Sequence, residues 1–231
     1  MSKKAGTVAV AAGAVLAAAN LEAGPLPGFS LAAQTQHFSF YSRDREKIDA
    51  EKSERYLARV EHLLGQQVQG RTDYYRYGSA QELAAGTGSY ASGVTFAHAG
   101  QIHSTREFHA HEIVHLVGGQ MGDPGAFFQE GLAVVLGNQA RWQGADVDKL
   151  ARRAARGAPL RALVAGFAGM DSDIAYAVAG SFVHRLVRTH GLAKIAEFFR
   201  ACRPGTDSGA AFARTFGESL DEAGTEWAAS L

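Results

Sequence analysis

The hydrophobic period of the chain changes near Ser104, and that change limits the fold more than any other feature. Between residues 37 and 103 the apolar residues alternate in short runs, as half-buried strands require, with one long stretch of helical spacing among them. Residues 37–42 read as a strand, residues 48–64 as an amphipathic helix whose Tyr56, Val60 and Leu64 share a stripe, and residues 72–77 as a second strand. Ser79 and Glu82 have capping-box spacing and open a short helix. Residues 93–103 alternate as a further strand. Beyond Ser104 the spacing is helical almost throughout, broken at Gly118-Gly119, Gly137, residues 157–159, Gly191 and residues 203–205. Strands first and helices afterwards predict an α+β chain, with a small N-terminal mixed sheet and its helices packed against a mainly helical C-terminal part.

At 231 residues the chain can bury a substantial core. Its 23 Lys+Arg balance 23 Asp+Glu, which argues against an electrostatic nucleic-acid footprint and against a polybasic membrane surface. The single cysteine, Cys202, excludes an intramolecular disulfide and a cysteine-rich metal site, so any metal must be held by His and carboxylates. Residues 1–36 read as a leader and linker. Lys3 and Lys4 precede an uncharged, Ala-rich run at residues 5–19 with small residues at Ala17-x-Ala19, the layout of an export signal. That run is too short and too Ala-rich for a membrane span. An Ala-rich leader on a cytoplasmic protein is the other reading. Residues 24–36, with Pro25, Pro27 and Gly28, follow as a linker, which leaves residues 37–231 as the domain. The basic run at residues 149–156 reads as a solvated helix face.

The chemistry concentrates in His111-Glu112-Ile-Val-His115. Ser104 and Glu107 have capping-box spacing and Gly118-Gly119 offers a stop, which places both imidazoles mid-helix. Residues four apart share a helix face with Cβ atoms roughly 6 Å apart, so His111 and His115 can converge on one metal ion. Glu112 lies on the same turn, where its carboxylate can reach a metal-activated water as a general base without being a ligand. Coincidence is the bland alternative, and a second helix weighs against it. Asp123 is a good N-cap, Pro124 suits the first helical position, and the run from Phe127 to Leu136 ends at Gly137. Glu130 is the sole acid of that apolar run. Buried without a partner it would cost several kcal/mol, whereas as an anionic metal ligand it is compensated. His111, His115 and Glu130 make the three-ligand set of a catalytic zinc site with one open position. The same set could hold non-haem iron, and Glu112, which iron chemistry does not need, favours Zn2+.

His111-Glu-Ile-Val-His115 followed by Phe128-Gln-Glu130-Gly-Leu-Ala133 resembles the gluzincin zinc metallopeptidases, specifically the bacterial peptidase MA-like domains, in which an HExxH helix precedes an EGxA helix bearing the third ligand. The resemblance extends through residues 175–183 and the closing segment to Trp227, covering about residues 37–231. It implies a zincin-like fold, hydrolysis of a peptide or protein substrate, and an oxyanion donor at Tyr176. A core aromatic with a wet hydroxyl is the other reading of Tyr176. Metzincins would want a third His at position 121, where this chain has Met121, a poor zinc ligand. Gluzincin aminopeptidases hold the substrate amine with an acidic segment upstream. Residues 93–103 carry no acid, which favours cleavage of internal bonds. That stretch in zincins is the sheet edge on which an extended peptide pairs as an added strand. His98 or His103 on it is expected to touch substrate, while His109 and His184 read as structural or surface residues. Phe127-Phe128 hints at extended peptide binding. Where related enzymes often carry an acidic partner for a ligand His, this chain has Val134, so another group must orient the imidazoles or the metal is held less tightly. A catalytically silent zinc-binding domain used for protein or peptide binding is the alternative function.

Overall fold

The computed structural model describes residues 25–231; the expected export signal lies outside the described residues. Five strands form one sheet: β1 (Ser30–Gln34), β2 (Phe38–Ser42), β3 (Thr72–Arg76), β4 (Gly93–Phe96) and β5 (Gln101–Ser104), in the order β1-β2-β3-β5-β4. The three inner strands are parallel, and β1 and β4 run antiparallel at the two edges. Parallel neighbours need crossovers, and helices supply them. Helix α1 (Ala50–Leu64) joins β2 to β3, and α2 (Ala80–Thr87) follows β3. Asp49 caps α1 by accepting from the Lys52 amide, and Gly65 ends it at φ 58°, a conformation that glycine adopts without strain. Ser79 caps α2 by accepting from the Glu82 amide, but the Glu82 side chain accepts from the Gly78 amide, so the expected capping box is only half formed.

Successive strand residues point to opposite faces, and here the two faces feed two cores. Phe38, Phe40, Tyr74 and Ile102 join the main core, whereas Tyr75 and Tyr77 pack with Phe29 and Leu83 in a smaller one. The helical part then runs through α3 (Ala110–Met121), α4 (Ala126–Gly137), a hairpin of β6 (Arg141–Trp142) and β7 (Ala145–Asp146), α5 (Val147–Gly157), α6 (Leu160–Ala165), α7 (Ser172–His190), α8 (Leu192–Ala201), α9 (Ser208–Phe216) and α10 (Leu220–Ser230). The main core is continuous from Phe38 of the sheet to Trp227 of α10, which binds the two parts together as the α+β pattern requires. The basic run on α5 is a solvated face, with Lys149, Arg152, Arg153 and Arg156 exposed.

Several boundaries differ from the sequence reading, each for a local reason. Residues 30–34 of the expected linker form β1, an edge strand whose side chains are mostly exposed and so leave no buried period to detect. Residues 93–103 are two strands, because a 3-10 turn at Ala97–Ala99 and Gly100 at φ 62° reverse the chain into an antiparallel pair. Ser104 ends β5 rather than capping a helix with Glu107, and α3 begins only at Ala110. Gly118 and Gly119 do not stop α3. A Cβ on Gly119 would lie 2.5 Å from Ala97 Cβ, so this glycine serves close packing against the 3-10 turn. Asp123 accepts from the Gly125 amide in a tight turn, and α4 starts after Gly125 instead of at Pro124. Among the described residues no helix is long and apolar enough to cross a membrane.

Candidate metal centre

Helix α4 crosses α3 closely enough that a Cβ on Gly137 would lie 2.6 Å from His111 Cα. On its other side α4 meets α7, where a Cβ on Gly131 would lie 2.4 Å from Val183 Cγ2 and 2.6 Å from the Ala179 carbonyl oxygen. The glycine that follows Glu130 therefore seats α4 between its neighbours, and Glu130 is carried to the histidine face of α3. His111 Nε2 and His115 Nε2 are 3.0 Å apart, and Glu130 Oε2 lies 3.0 Å from the first and 3.2 Å from the second. All three groups are largely shielded from solvent. The acid expected to be a ligand is thus turned inward to the imidazole pair.

Burial alone would lower the basicity of His115, but the Glu130 carboxylate beside it prevails and pushes its pKa up to about 9. Burial would likewise raise Glu130, and the attraction of His115 with hydrogen bonds from both imidazoles holds it well below the usual carboxylate range instead. These three side chains could hold a metal ion. Four donors placed tetrahedrally at about 2.0–2.1 Å from an ion are mutually about 3.3 Å apart, close to the triangle observed. The two nitrogens and one carboxylate oxygen are also the donor types of a three-ligand catalytic site. Nδ1 of His111 is buried without a hydrogen-bond partner among the described residues, and Val134 is packed into the α4–α7 contact against Gly180. No acid among the described residues replaces the absent partner at His111, and its ring is oriented by packing.

Glu112 is 5 % exposed and stays apart from the ligand triangle. Thr95 on edge strand β4 donates through Oγ1 to Glu112 Oε2 at 2.8 Å and lies 3.0 Å from the Glu112 carbonyl oxygen. His109 Nε2 is 4.0 Å from Glu112 Oε1, and Ser104 Oγ is hydrogen bonded to His109 Nδ1 at 2.9 Å. A Cβ on Gly93 would lie 2.6 Å from the His109 ring and 2.8 Å from Glu112 Cγ, so β4 can reach the glutamate only because residue 93 has no side chain. Burial, with Arg106 and the neighbouring imidazoles adding to it, holds His109 well below the ordinary histidine value, so it is neutral near pH 7.

Tyr176, in the first turns of α7, faces the same place. Its ring centroid is 6.1 Å from that of His111 and 4.4 Å from that of Trp142, with which it stacks at 8°. Burial and the nearby Glu130 and Glu112 carboxylates raise its phenol well above the ordinary tyrosine value, which keeps the hydroxyl protonated as a hydrogen-bond donor. The other candidates fall elsewhere. His103 is on inner strand β5, stacked on Tyr75 and hydrogen bonded to the Tyr77 hydroxyl, and burial pushes its pKa down to about 4. His98 is exposed in the 3-10 turn, and His184 faces Asp148 at 3.7 Å. Phe127 and Phe128 are core residues, 2 % and 1 % exposed, and offer no peptide surface. Thr95, His109 and Trp142 are the neighbours that motif spacing missed. Only the Gly93 and Thr95 pair, on a strand expected beside the cleft, gave any signal. A scan against protein-family models finds no match to the chain, and a search of curated proteins finds no similar sequence.

Proposed function

We propose that this chain is a zinc-dependent peptidase of the gluzincin type that hydrolyses internal peptide bonds. The observation that supports it most is the placement of Glu112: a buried carboxylate on the ligand helix, outside the ligand triangle and oriented by Thr95. A structural metal site needs no such residue; a hydrolytic one needs a base at that position. His111, His115 and Glu130 would hold the zinc, which when bound supplies Lewis acidity toward a water molecule and a carbonyl oxygen. Glu112 takes the proton that water loses on attack and passes it to the departing amine, so the carboxylate ends each cycle ionised. Tyr176 donates a hydrogen bond to the carbonyl oxygen as negative charge grows there. Among the described residues the outer edge of β4 is unpaired and offers backbone groups to an extended peptide, with Phe96 exposed on it. Strand pairing reads backbone rather than sequence, and the lack of acids on β4 and β5 leaves no clamp for a free amine.

The test is mass-spectrometric sequencing of products from a diverse peptide mixture, with and without chelator, for the wild type and Glu112→Gln. We expect internal cleavage that chelator abolishes, and at least a 10³-fold loss in Glu112→Gln with metal retained. A wild type that binds zinc stoichiometrically yet cleaves nothing would replace this reading with that of a silent zinc-binding domain.

A further inference from the structure

The hairpin between α4 and α5 is built at odds with its own backbone. Gln139, Ala140 and Gln143 all have positive φ, at 56°, 53° and 47°, and none is glycine. Gln143 and Gly144 form the two-residue turn of the hairpin, where two positive φ values are required. The other two strained residues lead from the end of α4 into Arg141–Trp142. Gln143 Nε2 donates to the Asp173 carboxylate, which pins the turn to the first turn of α7, three residues ahead of Tyr176. Trp142 meanwhile has its indole Nε1 buried without a hydrogen-bond partner among the described residues, a cost that a phenylalanine ring would not carry. Strain and an unpaired buried donor persist where surrounding structure has a use for them. What they deliver here is one contact: the Trp142 ring laid flat on Tyr176, on the side of the metal centre where the two rings and His111 meet.

We propose that Trp142 is a positioning residue, held by the strained hairpin so that its planar ring fixes the direction in which Tyr176 presents its hydroxyl to the reacting carbonyl. The proposal rests on the peptidase reading, in which Tyr176 acts on substrate. Flatness matters rather than volume: a phenol O–H bond prefers the plane of its ring, so a ring stacked at 8° fixes the plane in which that bond points, and a branched aliphatic side chain of similar reach does not.

Trp142→Phe, Trp142→Leu, Tyr176→Phe and the double variant Trp142→Leu/Tyr176→Phe separate these roles, with metal content and thermal unfolding measured for each. With a peptide that the wild type cleaves, Trp142→Leu should lose about 10- to 100-fold in kcat with KM little changed, and Trp142→Phe should stay within about 3-fold of the wild type. The double variant should be no slower than Tyr176→Phe, because the tryptophan acts only through that hydroxyl. Equal rates for the Leu and Phe variants, or a double variant whose losses multiply, would overturn the proposal. A second readout needs no turnover. Of the two tryptophans only Trp227 remains in Trp142→Phe, so Tyr176→Ala should shift emission to the red in the wild-type background and leave the Trp142→Phe background unmoved. Unmoved emission in both would show that the stack does not form. If the wild type hydrolyses no peptide, the peptidase reading falls and the positioning role falls with it, while the emission shift still decides the stack.

Discussion

At the scale of single residues, the centre is defined by which polar atoms are paired and which are not. Glu112 is clamped by the Thr95 hydroxyl, and losing that donor would free the carboxylate to rotate away from the water that it deprotonates in the proposed reaction. Thr95→Val should therefore lower kcat roughly 10- to 100-fold with zinc content unchanged, and Thr95→Ser should recover most of it; steady-state kinetics with parallel metal analysis check both. A second prediction concerns pH. His103 has a folded pKa of about 4 against an ordinary value near 6.5, so between those limits the unfolded chain binds a proton that the folded chain does not. Stability must then fall as pH drops from 6.5 towards 4, by on the order of 3 kcal/mol from this group. His109 adds in the same direction, while His115, with its raised pKa, opposes it only near the top of the window, where the unfolded imidazole begins to lose its proton. Urea unfolding of chelated protein should show the slope, and His103→Phe should reduce it, leaving the part that His109 contributes. An unchanged slope in that variant would contradict the assignment. The histidine pair was legible from spacing because i,i+4 geometry is local. Thr95, His109 and Trp142 were not, since their roles arise only when strand, helix and hairpin meet.

Among the elements, α4 carries the heaviest geometric demand. Its glycines at 131 and 137 let it approach α7 and α3 at backbone distance, and Glu130 reaches the imidazoles only if that approach is kept. Gly131→Ala should destabilise the fold by about 1–3 kcal/mol, read as a lower urea midpoint, and weaken zinc binding at least tenfold by displacing the neighbouring ligand. Unchanged affinity would mean that α4 can shift without moving Glu130. The helices were readable from the 3.6-residue period, yet their ends were not. Gly118 and Gly119 have the look of a stop, and α3 runs through them because the 3-10 turn and α4 press on that face. Edge strand β1 was hidden for the opposite reason: with its side chains mostly in solvent, nothing in its sequence alternates.

For the molecule as a whole, a continuous core joins the sheet to the helical half, and the three candidate ligands lie on two helices of that core. Metal bound there would therefore be coupled to global stability. Zinc at about 100 times its dissociation constant adds about 2.7 kcal/mol, which for a chain of this size corresponds to roughly 5–10 °C in Tm. Calorimetric scanning before and after chelation should show that difference, reversed by added zinc. The α+β layout was readable because the switch from alternating to helical spacing is a property of long segments, whereas the convergence of Glu130 on the histidines depends on how two helices cross.

The most direct measurement is zinc titration calorimetry on chelated wild type, Glu112→Gln, His115→Ala and Glu130→Ala. One zinc per chain should bind to the wild type and Glu112→Gln with similar affinity, and at least 100-fold more weakly to the His115 and Glu130 variants. Equal affinity in all four would show that these side chains do not form the site, and the hydrolytic chemistry built on them would fall.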